Sequence, residues 1–584
     1  MIPLALYLVF LWFALLCSGA VAIRLFHFAS MGTFEVTGWS VRHEDRLFFG
    51  LILVVALGEA ASLFSPLNLS VVAALAILLI GLGGFDTIQF LKSGRDRTSG
   101  EKFYVLIFAA ICWLLAMTYV ATEPTKHFDT GLYHAQMVKW NKDFGVVPGL
   151  ANLHARLGFN SPCDLFGALI DHGYFSARSF HVVSLVIGAM FLLVCLRGYY
   201  QWWNGSRSVS TILRSLGLII LVYYFRSVLS SISNDWPSAL LVCYAAILAA
   251  EWAEHRTRSQ EGQHDKTTPT AVLLAASCFF AVTVKLSIVP ILLLLLVPFI
   301  FGANRLQYLR VMLVTASLIV LPFVGRNIVL SGYVVYPSTA LDLFNPSWKV
   351  PAADVEFQTK LLKSWAMMPA LDWYRASEMS WGEWLGTWYR LRHDAIVGTI
   401  PWLLLGFGAW ICANIRQWRH ANEGWAYNLI CMSLLGGILF CFFTAPDPRF
   451  AMPWIMTFSL IAVAWLVDSL LRQTQWSTET YRLSAQIALL VATCWFVGHS
   501  GPKRLFRDPV NTLCQLNDLP KGELEEVTSN YGVRVNLALN TKQAWNADLP
   551  NTPDFNRWLQ LRGKTLAEGF VVTKPFAAEW RPGM

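Results

Sequence analysis

A chain of 584 residues that is 55% hydrophobic and only 14% charged, with a mean hydropathy of +0.48, cannot cover a water-exposed surface with polar groups. That excludes a disordered scaffold, a coiled coil and a nucleic-acid module. The 45 basic and 37 acidic residues leave a net +8, but the excess lies in loops between apolar runs, the pattern of membrane topology rather than of a phosphate-binding face.

Apolar runs of roughly 17–22 residues, each able to cross about 30 Å of hydrocarbon as a helix, recur about fourteen times. They fall at 2–23, 47–65, 69–90, 103–121, 180–198, 209–229, 236–252, 270–284, 288–303, 309–330, 396–415, 425–444, 450–471 and 484–500. The first lacks a basic n-region and a clear cleavage site and reads as a retained span. The halves of 270–303 are short, with Lys285 and Pro290 at the break. Basic residues gather in alternate loops: Arg24, Arg42 and Arg46; Lys92, Arg95, Arg97 and Lys102; Arg197 and Arg207; Arg256, Arg258 and Lys266; Arg305 and Arg310; Arg416 and Arg419; Arg472 and Arg482. With fourteen spans these share one side, which should be the cytoplasm, leaving both termini outside. Gly81, Gly83 and Gly84 lie within a span and suit close helix packing.

The opposite side holds the long polar segments 122–179, 331–395 and the tail 501–584. In the first, Tyr133, Met137, Trp140 and Phe144 repeat on one face of a helix, which an amphipathic helix lying in the membrane interface explains. Trp381, Trp384 and Trp388 do the same in the second. The tail, lacking a long apolar run, should be a small soluble domain. Of the 11 cysteines, only Cys163 and Cys514 lie in polar segments. Both are expected outside, where an oxidising compartment would let them pair if geometry allows; the alternative is separate burial. No CxxC pair, HExxH or DxD motif occurs, so no metal or other cofactor is expected.

Chemistry concentrates on the outward side. The phrase His127-Phe128-Asp129-Thr130-Gly131-Leu132-Tyr133-His134-Ala135-Gln136 places Asp129 just outside a span, where its carboxylate could serve as a general base. Asp129 or Thr130 could equally cap the following helix. Arg226, Lys285, Arg326 and Arg449 lie at outward ends of spans or turns and together could hold a lipid phosphate; snorkelling, or pairing with Asp235 and Asp447, is the plainer alternative. In Ser233-Asn234-Asp235-Trp236-Pro237, a second carboxylate could support the base, bind a metal with it, or cap the helix after Pro237.

These residues resemble the GT-C superfamily of membrane glycosyltransferases, which use polyprenyl-phosphate-linked sugars on the extracytoplasmic face. The first outward loop with Asp129 looks like that superfamily's catalytic loop, and the spans from about 103 to 330 resemble its seven-helix module. Asp129-Thr130-Gly131-Leu132-Tyr133-His134-Ala135-Gln136 is similar to an uncharacterised bacterial membrane-protein group associated with surface polysaccharides. Asn152 to Asn160, Arg326-Asn327, Gly332-Tyr333 and Tyr336-Pro337 extend the match. The likeness covers roughly 100–460 and departs from the superfamily in about three extra spans before the module.

The resemblance implies an all-α polytopic integral membrane protein, GT-C-like, with about fourteen transmembrane helices, amphipathic loop helices and a small C-terminal extracytoplasmic domain. Its expected parts are N-terminal extra helices (1–100), a catalytic module (101–330), an outward loop (331–395), C-terminal helices (396–500) and the tail (501–584). The implied activity is inverting transfer of a sugar from a polyprenyl phosphate to a glycan acceptor, in the bacterial inner membrane with the site facing the periplasm. Asp129 takes the base position. Lys285, Arg326, Arg449 and Arg226 are donor-phosphate candidates, and Tyr133, His134, Gln136, His154, Arg156, Asn234 and Asp235 are supporting or acceptor-side candidates. Membrane lipid, the polyprenyl-linked sugar and the acceptor are the expected partners, with no nucleic acid. The alternatives are a polymerase or ligase of lipid-pyrophosphate-linked glycans and a transporter or flippase; the latter should show repeat symmetry and broken mid-membrane helices, and no repeat is visible.

Overall fold

In a computed structural model, which describes residues 1–29, 42–95, 101–125, 127–260, 267–302, 305–368, 376–417, 421–473, 477–501 and 503–578, the apolar runs form helices. Among the described residues, 10 helices are long and apolar enough to cross a membrane, from Ile2–Phe26 to Glu479–Ser500. The other expected crossings are shorter or more polar. His43–Ser62 carries Glu44, Asp45 and Glu59. Val209–Leu216 and Leu218–Val228 are separated only by Gly217, and Thr267–Val284 is a short helix of 18 residues. The last, Leu286–Phe301, shows how a short apolar run can reach across. Ten of its residues, Leu286–Leu295, wind as a 3₁₀-helix around Pro290 before Leu296–Phe301 resumes α-helix. At about 2.0 Å per residue the 3₁₀ stretch covers roughly 20 Å, and the α-helical end adds about 9 Å. The protein is a multi-pass helical membrane protein.

Its loops sort to two ends. At one end Arg24 pairs with Asp86, Arg42 with Glu251, Arg197 with Glu44, and Arg207 donates to the Leu471 carbonyl at 3.1 Å. The basic loops therefore share an end, as their spacing predicts; Arg97, Lys266 and Arg419 lie outside the described residues. Close approach of the first three helices depends on glycine. A Cβ on Gly19 would meet the Arg46 carbonyl, one on Gly50 that of Leu15, and one on Gly83 that of Cys17. Gly81 and Gly84 face open space, so of the glycines singled out only Gly83 packs a helix.

At the other end lie the long loops and the tail. The tail adds strands to the helical body: β1 (Leu524–Thr528) pairs antiparallel with β2 (Arg534–Ala538), β3 (Asn551–Thr552) joins β2 in parallel, and β4 (Leu559–Leu561) pairs antiparallel with β5 (Phe570–Val572). This domain docks on the first loop. Tyr133, Met137 and Trp140 are buried in one cluster with Leu330 and the tail residues Val533, Val535, Leu559 and Phe570. Their helical periodicity is real, but protein covers the face where the membrane interface was expected. In the second loop, Ser380 and Glu383 form a capping box for Trp381–Leu391, and Trp381, Trp384 and Trp388 pack around Phe442 at 5.8, 6.4 and 5.8 Å.

Candidate functional site

Asp129 caps no helix with its side chain. Its backbone is already helical (φ −67°, ψ −23°), and it precedes a π-helical turn, Thr130–His134. The Thr130 hydroxyl instead donates to the Ile232 carbonyl at 3.1 Å. The capping alternative therefore fails for both residues. Asp129 Oδ1 accepts from Arg156 at 3.2 Å, and both side chains remain partly open, at 26% and 32%. Oδ2 accepts no hydrogen bond among the described residues. The Arg156 guanidinium also lies 5.7 Å from the centre of the Tyr133 ring, which fixes the cation by its π face.

Asp235 begins a membrane-spanning helix beside this pair. One carboxylate oxygen pairs with Lys285 and the other with Arg449 Nε at 3.4 Å. Lys285 reaches it because the chain is extended at that residue (φ −154°, ψ 113°), between the α-helix and the 3₁₀-helix. The Lys285 ammonium lies 4.1 Å from the Phe450 ring centre, and Arg449 5.6 Å from that of Trp365. His127 lies in the same field: burial lowers its pKa, with the charges of Asp129, His134, Asp235 and Arg449 acting on it. Its buried Nδ1 has no hydrogen-bond partner among the described residues. Arg156, Lys285 and Arg449 thus gather with Asp129 and Asp235 beside His127, and Asp447 also acts on Arg449.

The remaining predicted residues have other positions. Arg326 is fully buried. Its Nε donates to Asn160 Oδ1 at 2.8 Å, Nη2 to Asn141 Oδ1 at 2.8 Å and Nη1 to the Ser62 hydroxyl. It is a corrected assignment: fully buried and donating from all three nitrogens to protein side chains, Arg326 is placed as a structural cross-link. The side chain of Arg226 lies outside the described residues. His134 is also buried, with Nδ1 2.7 Å from Asp164 Oδ1; burial opposes its charge, but the Asp164 charge and hydrogen bond outweigh that and raise its pKa. Burial pushes His154 down to about 3. Asn234 accepts from the Ser161 hydroxyl at 2.6 Å, and Gln136 binds the tail through the Trp545 carbonyl and Asn551. His134 still feels the charges of Asp129 and Asp235 from its buried position, and Asn234 adjoins Asp235 in the neighbouring turn.

Sequence reading overlooked His127, Trp365 and Phe450 as site residues. The first stood in the quoted phrase, and the last adjoins Arg449; Trp365 has no signal in the sequence that sets it apart from the other tryptophans of the second loop. The expected disulfide is absent, because Cys163 and Cys514 are both free. Cys163 lies buried beneath the loop, and burial raises its thiol pKa. A shallow cleft of about 410 Å³ opens at the same end between Pro66, Lys142, Asp171 and His172, apart from the charged cluster.

Fold and site together define a multi-pass membrane protein with a partly open ionic site at its long-loop end. The chain belongs to the family described as "Domain of unknown function (DUF8201)", matched over residues 1–456. That match starts with the first helix, so the helices before the seven-span stretch are part of the family rather than an appendage. No curated protein matches the chain. A solved structure, the single-particle cryo-EM structure of arabinosyltransferase EmbB from Mycobacterium smegmatis, matches at 14% identity with a TM-score of 0.29, covering 79% of this chain and 49% of that one. This chain therefore spans about half the length of that protein.

Proposed function

We propose that this is a GT-C-type glycosyltransferase of the inner membrane, transferring a sugar from a polyprenyl phosphate to an acceptor hydroxyl on the extracytoplasmic side. One observation carries the reading: Asp129, unused as a cap and with Oδ2 accepting no hydrogen bond among the described residues, lies in electrostatic reach of Arg449, which shares Asp235 with Lys285. The lipid phosphate would sit against Lys285 and Arg449, exchanging contact with Asp235 for contact with the donor. The acceptor oxygen attacks the anomeric carbon while its proton passes to Asp129 Oδ2. The bond from that carbon to the phosphate oxygen breaks, and the lipid phosphate leaves with the electron pair. Attack opposite the leaving group inverts the anomeric centre. Arg156 holds Oδ1 and so fixes the carboxylate's orientation.

Asp129→Asn keeps the shape of the side chain and removes the proton acceptor. A general base contributes about 10²–10⁴-fold, so turnover of a panel of short-chain polyprenyl-phosphate sugars by purified protein should fall by at least about 100-fold, with expression unchanged. Turnover within about threefold of the parent would remove Asp129 from the chemistry.

A further inference from the structure

The π turn after Asp129 has a consequence for its own hydrogen bonding. The Ala135 amide reaches back to the Thr130 carbonyl, five residues away, where an α-helix would direct it to Gly131. The Gly131 carbonyl is instead taken by the amide of Trp545, from the tail, at 3.0 Å. A buried carbonyl without a donor would cost roughly 1–3 kcal/mol, so this register and the tail contact support each other. Two further contacts bracket Asp129. Gln543 Nε2 donates to the Phe128 carbonyl at 2.9 Å, and Gln136 Nε2 donates to the Trp545 carbonyl.

The indole completes the contact. It lies so close to Gly131 that a Cβ there would be 2.6 Å from the ring. Trp545 holds this pose with φ +49°, a left-handed conformation that is costly for a side-chain-bearing residue. Asn540 (φ +51°) and Lys542 (φ +58°), just before it in the tail, share this conformation. An arrangement of this kind fixes one helical register among two. Reverting from π to α shifts the register by one residue, rotating the chain before the turn by about 100° relative to the chain after it. Asp129 lies on the side before the turn.

We propose that Gln543 and Trp545 of the tail form a clamp on the π turn and are positioning residues for Asp129, so that the tail completes the catalytic loop. The mechanistic meaning of the clamp rests on Asp129 being the base, as proposed above; its existence as a positioning device does not.

The test uses the full-length protein in lipid nanodiscs, in an Asp129→Cys background, and follows alkylation at that position by a water-soluble maleimide with peptide-resolved mass spectrometry. Gly131→Ala, which drives a methyl group into the indole, should change the alkylation rate at least about threefold. Adding Trp545→Gly makes room for the methyl group, suits the positive φ and should return the rate toward that of the parent, a coupling that two independent structural defects would not show. Gln543→Ala removes a single bond at a half-buried site and should shift the rate in the same direction as Gly131→Ala, so misfolding of the glycine variant does not leave the question open. Unchanged rates in Gln543→Ala and Gly131→Ala, or a double variant no closer to the parent than Gly131→Ala alone, would overturn the clamp. No glycosyl transfer enters this readout. Asp129→Asn can therefore abolish turnover while the clamp fails, and the clamp can hold while Asp129→Asn stays active.

Discussion

Replacing Arg326 with Leu should unfold the protein more easily without touching donor binding directly, whereas replacing Arg449 with Gln should do the reverse. Arg326 is wholly buried and donates to Asn160, Asn141 and Ser62. Leucine there leaves those acceptors without a donor in a water-free setting. Each buried acceptor left unpaired costs about 1–3 kcal/mol, a loss that should lower the melting midpoint by several degrees. Arg449 has 41% of its side chain exposed and one carboxylate partner at 3.4 Å. Pairs so exposed contribute about 0–1 kcal/mol to folding, so its melting midpoint should hardly move. A hydrogen bond to a charged ligand contributes about 1.5–3 kcal/mol, which corresponds to a roughly 10- to 150-fold weaker Kd. Melting curves in nanodiscs and titration with a short-chain polyprenyl phosphate separate the two effects. An Arg326→Leu protein that melts with the parent but fails to bind the lipid phosphate would refute the assignment of Arg326 as a cross-link.

Two more outcomes come from the loop's buried groups. His134 has its pKa raised above 6.5, Asp164 overcoming burial; the stability it contributes is complete below about pH 6.5 and is lost as pH rises through the folded-state value. Relative to His134→Gln, the parent's melting midpoint should therefore fall as pH rises above about 6.5, and parallel curves for the two proteins there would count against the His134–Asp164 pair. For the cysteines, Cys163 is buried and Cys514 exposed, both free. A water-soluble maleimide should modify Cys514 and spare Cys163 until the protein is unfolded, and recovery of a Cys163–Cys514 peptide under non-reducing conditions would contradict this arrangement.

The crossings were legible in the sequence because length and apolarity are properties of single runs, and the shared end of the basic loops because charge placement is too. Even the short segment after Lys285 was marked by its proline. The site was legible as a set of types and an end of the molecule: Asp129, Asp235, Lys285 and Arg449 do come together. Arg326 was not separable from Arg449 by sequence. Each is an arginine at the outward end of an apolar run, and what divides them is the presence of Asn160, Asn141 and Ser62 from three other segments around one guanidinium. The phrases around Asn160 and Arg326-Asn327, which carry the resemblance, prove to bind each other: Asn160 Nδ2 donates to Asn327 Oδ1 at 2.9 Å. They weld the first loop to the helix leading into the second.

The first loop shows most clearly why periodicity alone falls short. A stripe of Tyr133, Met137 and Trp140 establishes that one face avoids water, and it is equally satisfied by lipid or by protein. What distinguishes the two is the backbone. The carbonyls of Phe128, Gly131, Pro148 and Leu153 accept from Gln543, Trp545, Phe570 and Thr552 respectively, all residues of the tail. Hydrocarbon supplies no donors, so a loop with these carbonyls could not rest its irregular backbone against acyl chains as a regular helix can. The π turn makes the requirement acute, because it releases a carbonyl that an α-helix would have satisfied internally. A loop built this way needs a protein partner to hold its shape, and the tail's short strands, polar edges and strained Trp545 supply one that no apolar span could.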